Sequence, residues 1–369
     1  MVLTTSLSIL SKSFKVRNDK PKIDHHIFQC HYKLTTNILF TFCILVTANS
    51  LIGDPIECLS NFSKKPEIQK VVTKYCWLLN TFTINNHTKS QPMRGLGHVN
   101  GDVRQHSYYQ WVPVMLFFQA ITFYIPHWIW KILEDGKIRM ITEGIRGRHI
   151  DGFDNRKIKL NRLIQYCLQT LHTHNVYACG YFLCELLNTV NILGNIYITN
   201  KFLGSTFLLY GYEVTMFYIN HKTKSFGYSN PMEVVFPKIT KCIFYKYGPS
   251  GSIQDIDVMC ILSQNNINEK IYFFLWFWFI IVGILSIYAV LYRLVYITQS
   301  FIWKNKIVKI ATTSNNKDSQ KMFIKNLQVG DVLFLNLIEK NIHFMNFKVL
   351  VEELWQQIKL THSRKKSDL

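Results

Sequence analysis

Cys58 and Cys76 are separated by 17 residues, and so are Cys242 and Cys260. Thiols in two such pairs supply what a disulfide framework requires if they face an oxidising compartment. Four cysteines allow three pairings, and spacing leaves all three open. Links within each pair make two hairpins, whereas links between the pairs fuse them into one cap. Other reactive side chains build nothing comparable. His25, His26 and Cys30 fall short of the roughly four ligands a structural metal site needs, and His172 and His174 have no cysteine at useful spacing. Gly248-Pro-Ser-Gly251 lacks the spacing of a nucleophile elbow. The chain has no HExxH and no phosphate-cradling glycine loop. No enzyme, metal or cofactor is expected.

The elements that must position these cysteines are visible in where charge is missing. Charged side chains are 18% of the 369 residues, against about 25% in ordinary soluble domains. Residues 34–52, 108–130, 173–195 and 271–292 hold almost none of them. At about 1.5 Å per helical residue, each stretch can cross a hydrocarbon slab of roughly 30 Å. A soluble core helix seldom needs a run such as Phe273-Phe-Leu-Trp-Phe-Trp-Phe279, apolar all round. The N-terminus is no secretory signal, since Lys12, Lys15, Arg17, Lys20 and Lys22 precede any adequate apolar run. The chain therefore reads as an all-α membrane protein. A four-transmembrane-helix bundle carries disulfide-bonded extracellular loops and a helical cytoplasmic domain.

Charge sets the orientation. Residues 1–33, 131–172 and 293–369 lie on one side, and loops 53–107 and 196–270 on the other. Net charge is +4, +4 and +6 for residues 1–33, 131–172 and 297–369, against +3 and +2 for the two loops. The positive-inside rule places both termini in the cytoplasm. The sequons at Asn61 and Asn86 then fall outside as glycosylation candidates. So do Cys58, Cys76, Cys242 and Cys260, with no other cysteine outside. The net charge of +19 fits contact with anionic inner-leaflet lipid rather than nucleic acid.

Polar residues inside the spans carry the remaining functional signal. Glu185, Asn188, Asn191 and Asn195 share one face of the third span, about 120° wide at about 100° per residue. A carboxylate facing lipid costs roughly 3 kcal/mol, so this stripe is expected to face protein or water. It is either an aqueous lining or, more in keeping with such stripes, glue between helices. The first span is the least apolar, and its Asn37 and Thr41 are pore-lining candidates. Pro113 is expected in the first turn of the second span, with Pro126 kinking or ending it near Trp130. Gln110, Gln119 and His127 read as packing or interfacial groups rather than ligands. In the tail, 311–325 is polar, Asp331 is placed to cap a short helix, and Phe347, Leu350, Val351, Leu354 and Ile358 recur at helical spacing.

Local words then converge. Gly53-Asp-Pro-Ile56, Tyr75-Cys-Trp77, Tyr108-Tyr-Gln-Trp-Val112, Phe117-Phe-Gln-Ala120, Cys184-Glu-Leu-Leu-Asn188, Phe236-Pro-Lys-Ile-Thr-Lys-Cys242 and Lys246-Tyr-Gly248 occur in this order. Over nearly its whole length the sequence resembles the innexins, the gap-junction channel proteins of invertebrates. The resemblance implies a homo-oligomeric ring of eight subunits, open to mixing with related subunits, in the plasma membrane at cell junctions. A docked ring in the apposed cell would complete a wide pore for ions and small solutes. It also implies disulfides between the loops, Cys58 with Cys260 and Cys76 with Cys242, and an N-terminal segment folded into the pore mouth. The rival readings are a non-junctional hemichannel and a non-conducting adhesion or scaffold protein.

Overall fold

The computed structural model describes residues 21–60, 66–84, 103–146, 153–219, 230–299, 304 and 327–367. In chain order its first elements are helix α1 (His26–Ile52), strand β1 (Glu57–Leu59), helix α2 (Pro66–Leu79), strands β2 (Thr81–Ile84) and β3 (Val103–His106), and helix α3 (Val112–Glu134). Next come helices α4 (Lys137–Thr142), α5 (Phe153–Gln169), α6 (Asn175–Phe202), α7 (Phe207–Ile219) and α8 (Pro231–Val235). Strands β4 (Ile239–Tyr247) and β5 (Ile253–Ile261) and helices α9 (Ser263–Thr298), α10 (Val329–Glu339) and α11 (Phe344–Ser367) complete the fold.

The fold is mostly helical. Helices α1, α3, α6 and α9, of 27, 23, 28 and 36 residues, are long and apolar enough to cross a membrane. They overrun the charge-free stretches of the sequence. Helix α1 starts at His26 rather than at 34, through a π-helical segment, Cys30–Thr35, on which His31 and Thr35 are buried. Lys33 breaks the apolar run without breaking the helix, because backbone hydrogen bonds and packing set helix ends, not charge. Helix α3 begins after a 3₁₀ turn at Tyr108–Gln110, with Pro113 in its first turn where no backbone donor is missed. Pro126 does not end it; the helix continues to Glu134. There the carboxylate oxygens of Glu134 accept from the backbone N–H of Gly136 (2.9 Å) and Ile138 (2.7 Å). Gly136 has φ +70°, a conformation that suits glycine and turns the chain into α4.

By internal contacts the chain divides into two compact units. A disulfide unit comprises Cys30–Ile125 and Asn188–Ser286; a tail unit comprises Met1–Gln29, Pro126–Leu187 and Ile287–Leu369.

In the disulfide unit the two interspan loops share a five-stranded antiparallel sheet of order β1-β5-β4-β2-β3. The helical reading of the sequence did not include this sheet, since strands of three to nine residues leave no long apolar run. One signal was available. Ile239–Tyr247 is rich in β-branched and aromatic residues, and a turn with Gly251 at φ +80° leads into β5. Below the sheet Ile56, Val72, Tyr109, Val258 and Leu262 form a core with the four cysteines. A second core gathers Leu39, Phe123, Phe207, Tyr210, Tyr272 and Phe279 between the helices. Gly211 lets α7 meet α9 closely: a Cβ there would lie 2.2 Å from the Trp276 ring. Thirteen residues of α7 are too few to cross a bilayer, so span length does not reveal this helix in the sequence.

In the tail unit Phe347, Leu350, Val351, Leu354 and Ile358 are all buried on α11, in a core with Leu163, Ile164, Phe334 and Leu335. Helix α10 opens with a capping box, in which the Gln328 side chain accepts from a backbone N–H of the first turn and the Asp331 carboxylate accepts from the Gln328 N–H.

Candidate functional site

The sheet brings the four paired cysteines together. Cys58 on β1 lies directly opposite Cys260 on β5, and the two are bonded. Cys76, on a buried turn of α2, is bonded to Cys242 on β4. One bridge therefore staples strand to strand and the other helix to strand, and both join the loop after α1 to the loop before α9. The Sγ atoms of Cys58, Cys76 and Cys260 lie within 4.8 Å of one another because the bridges are neighbours. Such sulfurs are committed to disulfides and leave no thiolate for a metal. The Gln69 amide, from α2, donates to the Cys58 carbonyl, adding a second tie between helix and strand. On β3, His106 hydrogen-bonds Thr83 Oγ1 through Nε2 at 2.8 Å. Burial, with the Arg104 charge adding, pushes its pKa down from 6.5 to about 4.

Within the disulfide unit the helices are joined by short polar links. Gln119 Nε2 donates to Thr199 Oγ1 at 2.7 Å, Asn195 Nδ2 to Thr122 Oγ1 at 3.1 Å, and Trp278 Nε1 to Thr35 Oγ1 at 3.0 Å. His31 Nε2 and Ser286 Oγ are 2.6 Å apart. Of the polar stripe on α6, Asn195 also donates to Asn191 Oδ1 at 3.0 Å, and Asn188 is buried. Asn37 and Thr41, by contrast, are exposed on α1, with the Thr41 hydroxyl returned to the Asn37 carbonyl at 2.8 Å. Lys33, Leu34, Ile44 and Leu45 are exposed as well. Gln110 donates to the Trp77 carbonyl, and His127 Nδ1 lies 3.7 Å from Asp24.

Two ion-pair sites among the described residues of the tail unit involve side chains singled out in the sequence, Glu185 and Asp331, with partners that the sequence did not reveal. Glu185 is held by Arg293 of α9, whose guanidinium stacks near Tyr181, Phe182 and Tyr296. Arg293 follows directly on the fourth charge-free stretch, and that adjacency was the available signal. The longer helices also bring in two further acids, Glu134 and Glu269; Glu269 pairs with Lys238 at 3.2 Å. The second site is Asp331. Its carboxylate accepts from the backbone N–H of His172 (3.1 Å) and faces His174 Nδ1 at 3.0 Å. Burial alone would raise the Asp331 pKa, but the His174 hydrogen bond and the N–H groups of Gln328 and His172 outweigh it and hold the carboxyl below its usual range. His172 and His174, considered for metal on sequence, instead serve this latch.

Asn61 and Asn86, the glycosylation candidates, lie outside the described residues, as do the polar 311–325 segment and residues 1–20 of the N-terminal segment expected at a pore mouth.

A sequence model of the Innexin family matches residues 24–358. Among similar curated proteins, Innexin inx3 of Drosophila melanogaster is 43% identical over 362 residues, covering 96% of this chain and 90% of that relative. Innexin inx2 of Schistocerca americana is 39% identical, with 92% of this chain and 94% of the relative covered. Innexin shaking-B of Drosophila melanogaster is 34% identical, with 90% of each covered. The matched residues contain all four long helices and both disulfides, and the chain belongs to the innexin family.

Proposed function

We propose that this protein is a gap-junction channel subunit, eight copies of which close into a ring that docks with a second ring in the apposed cell. The observation that carries the reading is the covalent fusion of the two interspan loops into one sheet by Cys58–Cys260 and Cys76–Cys242. Two loops so joined must lie on the same side of the membrane, and a sheet stapled twice is stiff enough to meet another ring. Disulfides call for an oxidising face, so the sheet is extracellular and both termini are cytoplasmic, in line with the positive charge on the terminal side. Ring closure uses a heterologous interface repeated around the axis, open to related subunits. The exposed polar positions Asn37 and Thr41 of α1 line the pore. Selectivity follows from pore width and lining charge rather than ion dehydration.

Dye transfer and paired voltage clamp between expressing cells test this. Junctional current that depends on the protein in both cells is expected. Current confined to single cells would make the protein a hemichannel, and surface-expressed protein with no current of either kind would make it an adhesion or scaffold protein.

A further inference from the structure

A cavity of about 230 Å³ in the tail unit is lined by His25, Tyr181, Arg293, Tyr296, Asn336 and Lys340, with Tyr292 and two leucines. No Asp or Glu lines the cavity, although Glu185 is bonded to Arg293 from outside the lining; Arg293 and Lys340 carry positive charge, and His25 a neutral imidazole. They come from three separate segments: the chain before α1, the last turns of α9 and the end of α10. The Arg293 guanidinium is fixed in orientation because Nε and Nη2 both hold Glu185. Its Nη1 has no acceptor among the described residues, nor does the Asn336 amide have a side-chain partner there. A planar fork with one arm unengaged, a point charge on Lys340 and a neutral amide donor form the donor set that tetrahedral oxyanions need. We propose that this cavity binds a phosphate monoester group, presented by a phosphoinositide headgroup or by a free inositol phosphate.

His25 senses the Lys340 and Arg293 charges, though burial weighs more. Burial first, then the charges of Lys340 and Arg293, push its pKa from 6.5 down to about 4. A dianion placed between these groups offsets that field. Because Lys340 ends α10 and His25 precedes α1, a bound phosphate would tie the start of the first span to the tail. This goes beyond the channel reading, and its test does not depend on conductance.

The experiment uses the full-length protein in detergent and two probes: phosphatidylcholine vesicles containing phosphatidylinositol monophosphate, and soluble inositol monophosphate. Vesicles containing phosphatidylserine at equal charge control for unspecific attraction. Lys340→Met and, separately, His25→Gln should each weaken binding about tenfold, the loss of one charge-assisted or hydrogen-bonded contact. Lys348→Met, on the partly exposed Lys348 of α11, should leave it unchanged. Loss of vesicle binding alone assigns the site to lipid; loss with both probes admits the free ester. Affinities unchanged in both variants, no binding of either probe, or phosphatidylserine binding as tightly would overturn the proposal.

Discussion

Glu185 on α6 and Arg293 on α9 form a two-point ion pair, with Nε and Nη2 of the guanidinium 2.5 and 2.9 Å from the two carboxylate oxygens. Side-chain exposure is 8% for Glu185 and 11% for Arg293, so each charge is largely withdrawn from water and depends on its partner. Removing one member of a buried pair costs about 3–5 kcal/mol, whereas replacing both by apolar groups is often near neutral. Arg293→Met should therefore lower the thermal stability of the detergent-purified protein steeply. Combining it with Glu185→Leu should restore most of the loss. A double variant as unstable as the single one would show that the pair is not what those side chains contribute.

Gly330 is the second sensitive point. A Cβ there would lie 2.4 Å from the His174 carbonyl carbon and 2.6 Å from the Asn175 nitrogen, both backbone atoms that cannot swing away. Gly330→Ala should destabilise by about 1–3 kcal/mol, as overpacking does. Gly194, in the middle of α6, has open space around it, and Gly194→Ala should be neutral or stabilising by up to about 1 kcal/mol. Melting curves of the two variants check the contrast.

Acid sensitivity should trace in part to His106. Its folded pKa of about 4 lies below the ordinary 6.5, so the fold favours the neutral ring. The stability this confers is full above pH 6.5 and is lost as pH falls from there towards 4, by up to about 3 kcal/mol. Asp331 acts at lower pH: its depressed pKa gives stability that persists above the usual carboxylate range and fades below it. Melting temperature followed from pH 7.5 to 4.5 should fall more for the wild type than for His106→Gln. Parallel curves would remove His106 from the account.

The two bridges should act as a nested pair. Sequence separations of 202 and 166 imply about 5 kcal/mol for whichever bridge forms first, by loop-closure entropy. With one present, the other closes only the two 18-residue arms between the cysteines, worth about 4 kcal/mol. Spans that stay inserted make these upper limits. Cys58→Ser should abolish coupling between cells, while Cys43→Ser, at a half-buried thiol that donates to the Pro113 carbonyl at 3.4 Å, should be tolerated. Equal tolerance of both in paired-cell recordings would sink the framework.

The pore-lining proposal predicts thiol reactivity. Asn37→Cys and Thr41→Cys sit on an exposed face of α1, whereas Val46 is fully buried against neighbouring helices. A charged thiol reagent should change the conductance of the first two variants and leave Val46→Cys unaffected. The reverse pattern would move the pore to another helix.

What the sequence determined by itself was the set of long helices, because twenty uncharged residues in a row have one economical fate in lipid. The burial of Phe347, Leu350, Val351, Leu354 and Ile358 on one face of α11 was legible too, since helical periodicity is local. Helix ends were not, because Lys33 sits exposed on a helix that runs on through it, Glu134 caps the next turn and Glu269 pairs with the distant Lys238. Only the tertiary structure decided that Glu185 meets Arg293, 108 positions away, that His172 and His174 converge on Asp331, and that two loops form one sheet. Each of these depends on which elements become neighbours, and pattern within a single segment carries no information about its neighbour in space.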